Sequence, residues 1–510
     1  MNCLRRRPAS IVFVLAAILA LAPSCKRWRA RRGARSVTLH PTRPTARPSP
    51  PRPRPQPARG PALDHTRWIA AGGGAVPEIN QLSLAMDLGL AREVFGADTG
   101  LVLFGSGPGA FVQVLDEQPP APTLRLRLGE LFAPRLAREA HYEPAQLVIH
   151  GDATQRNVLE LLRISATVGR GPLVFYVAAH GDVGETAEQN RIALWGGADI
   201  TPESLATMLD RVGTHRPIRM VITTCFSGGF SEVMYRGAHQ ANGLGASPRC
   251  GLFSTTWDRQ ASGCDPDPDR RVHEGYGVHF LNALRLRDRE GNTLSLRDLD
   301  LDGDGHVGFL EAHARVRIVG ESIDVPTTTS ERWLRATAPT EGARLAVALP
   351  EDDAVIRGLG LELHLEPTME NARRERDALE HRLRDLESRL EPLTERLEQA
   401  TETVSAMFLA RWPVLDDPWH PAWEGTVARD QAELEALFAD DPSVRDLEAT
   451  RAQQARAEDA IGELEVDLAR HERLVRALED RELAERLHAR GGAAWATFEA
   501  LLACERGAMQ

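Results

Sequence analysis

Residues 173–181 read LVFYVAAHG and residues 218–229 read IRMVITTCFSGG. Each is a short run of apolar residues that ends in a reactive side chain beside glycine, the pattern of a strand running into a functional loop. Outward from these two, further strands are expected at Trp68 to Ala71, Leu101 to Phe104 and Leu252 to Thr256. Helical spacing fills the gaps: Gln81 to Phe95, Thr154 to Ile164 with Asp152 placed to cap it, and Pro202 to Leu209 behind Thr201 with proline at its first position. Strands alternating with helices predict an α/β domain over residues 62–350 with a mostly parallel sheet flanked by helices. The glycines at 72 to 74 lack both the dinucleotide spacing and a phosphate-loop lysine, which argues against a nucleotide site.

Parallel strands deliver both reactive endings to one edge of the sheet, where ligands of open α/β folds gather. A thiol and an imidazole, Cys225 and His180, are then expected to meet across a cleft. They are the minimum for thiol acyl transfer, and the small glycines beside them leave main-chain amides free to approach a developing oxyanion. Lysine is excluded from such chemistry, because Lys26 is the only lysine in the chain.

At these residues the chain resembles the caspase-like fold of cysteine peptidases, which includes caspases, metacaspases and, closest in pattern, legumain-type peptidases. Five stretches carry the resemblance in order between Trp68 and Ala348. They are the helix start from Asp152 to Asn157, the strand into His180-Gly181, the strand and turn from Ile192 to Pro202, the strand into Cys225-Phe226-Ser227-Gly228-Gly229, and the segment from Phe253 to Cys264. The resemblance implies that Cys225 is the nucleophile, that His180 protonates the leaving amine, and that the amides of Gly181 and Cys225 form an oxyanion hole. Legumain-type enzymes carry an acidic residue two positions before the cysteine and metacaspases one immediately before it. Here Thr223 and Thr224 stand in those places, so neither an asparagine pocket nor a basic-residue pocket is implied. By analogy the cleft is lined by Thr223 and by a loop carrying Asp258, Asp265, Asp267 and Asp269, able to bind an arginine side chain or simply solvated. Asn80 stands where it could orient the histidine.

Asp300, Asp302, Asp304, Gly305, His306 and Glu311 reproduce the oxygens at alternate positions, the turn glycine and the closing carboxylate of an EF-hand loop. A single Ca2+ ion is the expected ligand, bracing the domain; an acidic turn without an ion is the alternative. Cys250 and Cys264 flank the fifth strand and either pair or stay as core thiols.

Residues 366–510 are predicted to be a helical coiled-coil region. Leucines from Leu379 to Leu397 follow a 3-and-4 spacing, Pro392 is expected to kink that helix, and Ile461, Leu464, Leu468, Val475 and Leu478 form a second seam. Self-association is the plain role of such helices, and covering the cleft the sharper one.

At the other end, Arg5 to Arg7 precede an apolar run from Ile11 to Ala22 and then Pro23, Ser24 and Cys25. This is the order of a secretory signal over residues 1–25, with Cys25 as a lipidation candidate like that of a bacterial lipoprotein; an uncleaved anchor is the alternative. Residues 26–61 are rich in arginine and proline, with no acidic residue before Pro61, and read as an extended tether. Beyond the tether the chain is acidic enough to give a net charge of −11, so nucleic acid is not an expected partner. The reading is an exported, membrane-tethered cysteine endopeptidase acting on peptides or proteins. Its alternative is a catalytically inactive caspase-like surface scaffold that binds calcium and partners.

Overall fold

The structure, a computed structural model, describes residues 60–116, 123–134, 140–213 and 216–508. The signal, Cys25 and the tether up to residue 59 lie outside the described residues. Among the described residues no helix is long and apolar enough to cross a membrane.

Strand β1 (Trp68–Gly73) leads into helix α1 (Leu82–Phe95) and then β2 (Gly100–Phe104). A short hairpin, β3 (Phe111–Leu115) with β4 (Ala140–Pro144), encloses helix α2 (Leu124–Phe132). Helix α3 (Gln155–Val168), strand β5 (Leu173–Asp182), strand β6 (Arg191–Ala193), helix α4 (Pro202–Val212), strand β7 (Ile218–Ile222) and strand β8 (Arg249–Phe253) follow. The sheet order is β2-β1-β5-β7-β8-β9, where β9 is Thr327–Thr328. The first five run parallel; β9 is antiparallel at the edge, and β6 pairs antiparallel with the end of β5.

Neither face of this sheet meets water, as expected of a parallel sheet between helices. Trp68, Ala70, Val102, Val174 and Tyr176 pack on one side with α1 and with α5 (Tyr276–Leu284). Ile69, Ala71, Leu103, Phe175 and Val177 pack on the other with α3 and α4. Capping follows local chemistry: Thr201 and Ser204 form a reciprocal capping box with Pro202 in the first turn. At α3 the cap is Thr154, not Asp152; Asp152 accepts a 2.6 Å bond from the Thr154 hydroxyl and so orients it.

Helix α6 (Leu296–Leu299), the acidic loop and helix α7 (Phe309–Val319) come next, then α8 (Thr329–Thr337) and α9 (Pro350–Glu362). Beyond them α10 (Met369–Arg411) and α13 (Pro442–Arg490) pack along each other, joined through α11 (Trp423–Arg429) and α12 (Gln431–Asp440). Pro392 lies inside α10, which is continuous from Met369 to Arg411. Only part of the predicted seam is buried: Leu379 meets Leu464 and Leu468, while Leu383 and Leu386 are partly covered. Val475 instead packs on Ala314 and Val355, so the root of the hairpin is seated on helices α7 and α9.

The last helix, α14 (Gly492–Arg506), lies against β8 and carries the partner of Cys250: the disulfide is Cys250–Cys504, not Cys250–Cys264. Cys250 is fully buried beside Leu501, so the disulfide is enclosed by the docked helix.

Candidate functional site

Val177 of β5 pairs with Ile222 of β7. Three residues further along the chain stand His180, still within β5, and Cys225, just past the end of β7, so both lie at the same edge of the sheet. The two endings touch directly: a Cβ on Gly181 would lie 2.2 Å from the Cys225 carbonyl oxygen, so only glycine fits there. Thr223 holds this end of β7 in place, both its amide and its hydroxyl donating to the Val177 carbonyl. After Cys225 the chain turns sharply. Phe226 adopts φ +59°, a left-handed conformation that a bulky residue takes at a cost of about 1–2 kcal/mol. Its amide donates to the Arg259 carbonyl at 2.7 Å and its carbonyl accepts from the Asn190 side chain at 2.9 Å, which hold the turn.

The His180 ring is oriented from β1's following loop. Its Nε2 lies 2.8 Å from the Ile79 carbonyl oxygen and 2.9 Å from Gln81 Oε1. A carbonyl only accepts, so Nε2 carries the hydrogen and Nδ1 keeps its lone pair. Burial lowers the His180 pKa, against opposing effects of the Ile79 carbonyl and Asp182, which favours the neutral base. That lone pair faces a thiol, but the thiol is Cys264: Sγ to Nδ1 is 3.5 Å. Burial, with Asp87, Asp265 and Asp324 nearby, pushes the Cys264 thiol up to about 12, so it rests protonated.

Cys225 is 7% exposed, and its Sγ accepts a 3.2 Å bond from the Ala261 amide. The loop after β8 thus contacts the Cys225 sulfur through Ala261 and itself carries the second sulfur, Cys264. It is fixed to the rest of the domain by Ser262, whose amide donates to Asp324 Oδ1 at 2.6 Å, and by Ser83, whose hydroxyl donates to the Gly263 carbonyl at 2.7 Å.

A cavity opens beside this loop. Thr223, Ser262 and Cys264 line it together with Asp87 and Arg270, and its lining runs from Ser83 to Val278 with no residue of the C-terminal helices. Of the predicted pocket residues, Thr223 is here. Asp265 is on the adjoining loop, where its Oδ1 accepts from the Asp267 amide. Asp258 instead accepts from the Thr256 hydroxyl at 2.7 Å. Asn80 is buried and serves the backbone, accepting from the Gly74 amide and donating to the Phe111 carbonyl; its neighbour Gln81 contacts the histidine. Asp87 is not among the expected pocket residues; its signal in the sequence is an acidic residue on the buried face of α1 among Leu84, Leu88 and Ala91.

In the acidic loop, carboxylate oxygens of Asp300, Asp302 and Asp304 all lie within 4.8 Å of one another. Gly303 and Gly305, at φ +80° and +87°, make the tight turn that brings them together. Glu311 departs from the expected ligand set. It is buried, its Oε2 accepting from the Gly308 amide at 2.7 Å and its Oε1 from the amides of Leu301 and Asp302. The His306 side chain is exposed, and its amide donates to Asp304. Three carboxylates therefore fit a hard cation, while Glu311 would first have to release amides.

No family model matches this chain, and no curated protein matches it.

Proposed function

We propose that this chain is a cysteine endopeptidase of caspase-like fold. The observation that carries the reading is the common sheet edge of His180 and Cys225 at the ends of adjacent parallel strands, with Nε2 of the imidazole held so that Nδ1 is its basic atom. Cys225 Sγ attacks the peptide carbonyl while Nδ1 accepts the thiol proton. The tetrahedral intermediate collapses to a thioester as His180 returns that proton to the leaving amine. Water, deprotonated by the same nitrogen, then releases the acid.

The contact between His180 and Cys264 favours a second reading, in which Cys264 is the thiol that the histidine serves. One experiment separates them: cleavage of a diverse peptide library by the full chain, compared with Cys225→Ala, Cys264→Ala and His180→Ala. Loss with Cys225→Ala and His180→Ala alone supports the first reading, and loss with Cys264→Ala in place of Cys225→Ala supports the second. No turnover by the wild-type chain rejects both and leaves the scaffold.

Export and a lipid tether at Cys25 complete the proposal. They rest on the order of charge, apolar run and small residues over 1–25, and a disulfide between Cys250 and Cys504 suits an oxidising compartment. The loop at Asp300, Asp302 and Asp304 is proposed to hold Ca2+ as a brace, since α7 behind it anchors Phe309 in the main core. The helical hairpin remains a candidate for self-association.

A further inference from the structure

The cavity lined by Cys264 and Thr223 has a charged pair that the proposed chemistry does not use. Asp87 is 6% exposed, and its partner is Arg270, reaching in from the loop after β8. The pair joins segments far apart in the chain rather than stabilising one element, and both residues line the cavity with Thr223, two positions before Cys225. The space around the carboxylate is kept open by Gly277, where a Cβ would lie 2.5 Å from Asp87 Oδ2 and 2.8 Å from the Tyr176 hydroxyl. That hydroxyl is fully buried, so a second polar atom stands beside Asp87 away from solvent. A buried carboxylate, a buried hydroxyl and a threonine around one cavity are suited to a guanidinium, whose fork of donors needs several acceptors at once.

We propose that this cavity is the pocket for a basic side chain next to the bond to be cleaved, and that Arg270 of the same chain fills it at rest. The proposal rests on the peptidase reading for its position beside the thiol, and it adds the substrate class, peptides carrying arginine. Asp87 is the specificity-determining residue and Arg270 an internal competitor. A competitor that occupies the pocket most of the time lowers apparent affinity by the fraction of time the pocket is open.

The test is binding, measured apart from turnover. In a Cys225→Ala background of the full chain, the affinity of a short fluorescent peptide ending in arginine amide is compared with its citrulline counterpart. The expected result is that Arg270→Ala and Arg270→Gln each tighten binding of the arginine peptide by about tenfold, and that adding Asp87→Asn returns it to the citrulline level. Wild-type Arg270 should keep the same order with a smaller ratio, which preserves the test if a variant is unstable. Equal affinity for the two peptides in every variant overturns the proposal. Arginine-selective binding that depends on Asp87, found in a protein that hydrolyses nothing, upholds the pocket and rejects the peptidase reading. Turnover with no preference for arginine and no response to Asp87→Asn rejects the pocket and leaves the peptidase standing.

Discussion

Two places in this molecule gather polar groups from distant parts of the chain, and they do so in different ways. In the seam where the C-terminal helices dock, the buried Arg473 guanidinium donates to the carbonyls of Asp324, Gly320 and Ser322, each at 2.6 Å. Glu505 likewise accepts from the Ser330 amide at 2.7 Å and its hydroxyl at 2.5 Å, next to the disulfide at Cys504. In the cleft, one imidazole nitrogen of His180 is fixed as firmly, but the other meets only a sulfur at 3.5 Å. Several short bonds to one side chain hold a shape; a single long contact to a thiol is easily exchanged. The seam is thus held by several short bonds, and the free nitrogen's side of the cleft by one long contact. They are joined at Asp324, whose carbonyl accepts from Arg473 and whose carboxylate accepts from Ser262 in the cleft loop.

The sharpest test of this contrast is loss of function without loss of fold. Cys225→Ala and His180→Ala should each lower peptide hydrolysis by about a thousandfold or more, while the urea midpoint moves little. A large fall in stability with either would make the cleft a structural seam too. In the seam the effects should reverse in kind: Arg473→Met leaves buried carbonyls without donors and should cost roughly 3 kcal/mol in urea unfolding. If stability is unchanged, the tail is only resting on the domain.

A pH series sharpens the contrast further. Burial pushes the Glu505 carboxyl up to about 8, against the Ser330 bonds, so the folded chain holds this proton more tightly than the unfolded one. Its contribution is fully present below the ordinary carboxyl range and is lost as pH rises through 8. Glu505→Gln should therefore gain on the wild type by roughly 3 kcal/mol between pH 5 and pH 8.5. A constant difference across that range would show that the carboxyl is not protonated in the seam.

The smallest effect belongs to the acidic loop, where all the acceptors come from one short segment. Asp302→Asn should weaken Ca2+ binding by about tenfold in calorimetry and leave calcium-free stability nearly unchanged. Heat of binding that is absent in the wild type would reduce the loop to a turn.

How much of this could be read beforehand follows the distance over which each feature is decided. The five parallel strands, the helices after them and the cap at Thr201 came through with end shifts of a few residues, because they depend on periodicity and sterics among near neighbours. The hairpin of β3 and β4 did not: AHYEP is short, largely exposed and ends in proline, so nothing local marks it as a strand. The cleft divides the same way. His180 and Cys225 were readable because each ends an obvious strand, and the edge at which they emerge follows from parallel pairing. The thiol that meets the histidine was not readable, nor was the acid beneath the cavity.

The sequence by itself therefore determined the five parallel strands, the cap at Thr201, the placing of His180 and Cys225 at strand ends and the clustering of three aspartates at alternate positions, all of them set within a few residues of chain. Only the tertiary structure decided that Cys264 faces His180 across 84 residues, that Arg270 reaches Asp87 across 183, and that Cys250 is bonded to Cys504 across 254. Those partners are chosen by how the core packs and where the last helix docks, and no pattern in a short window carries that information.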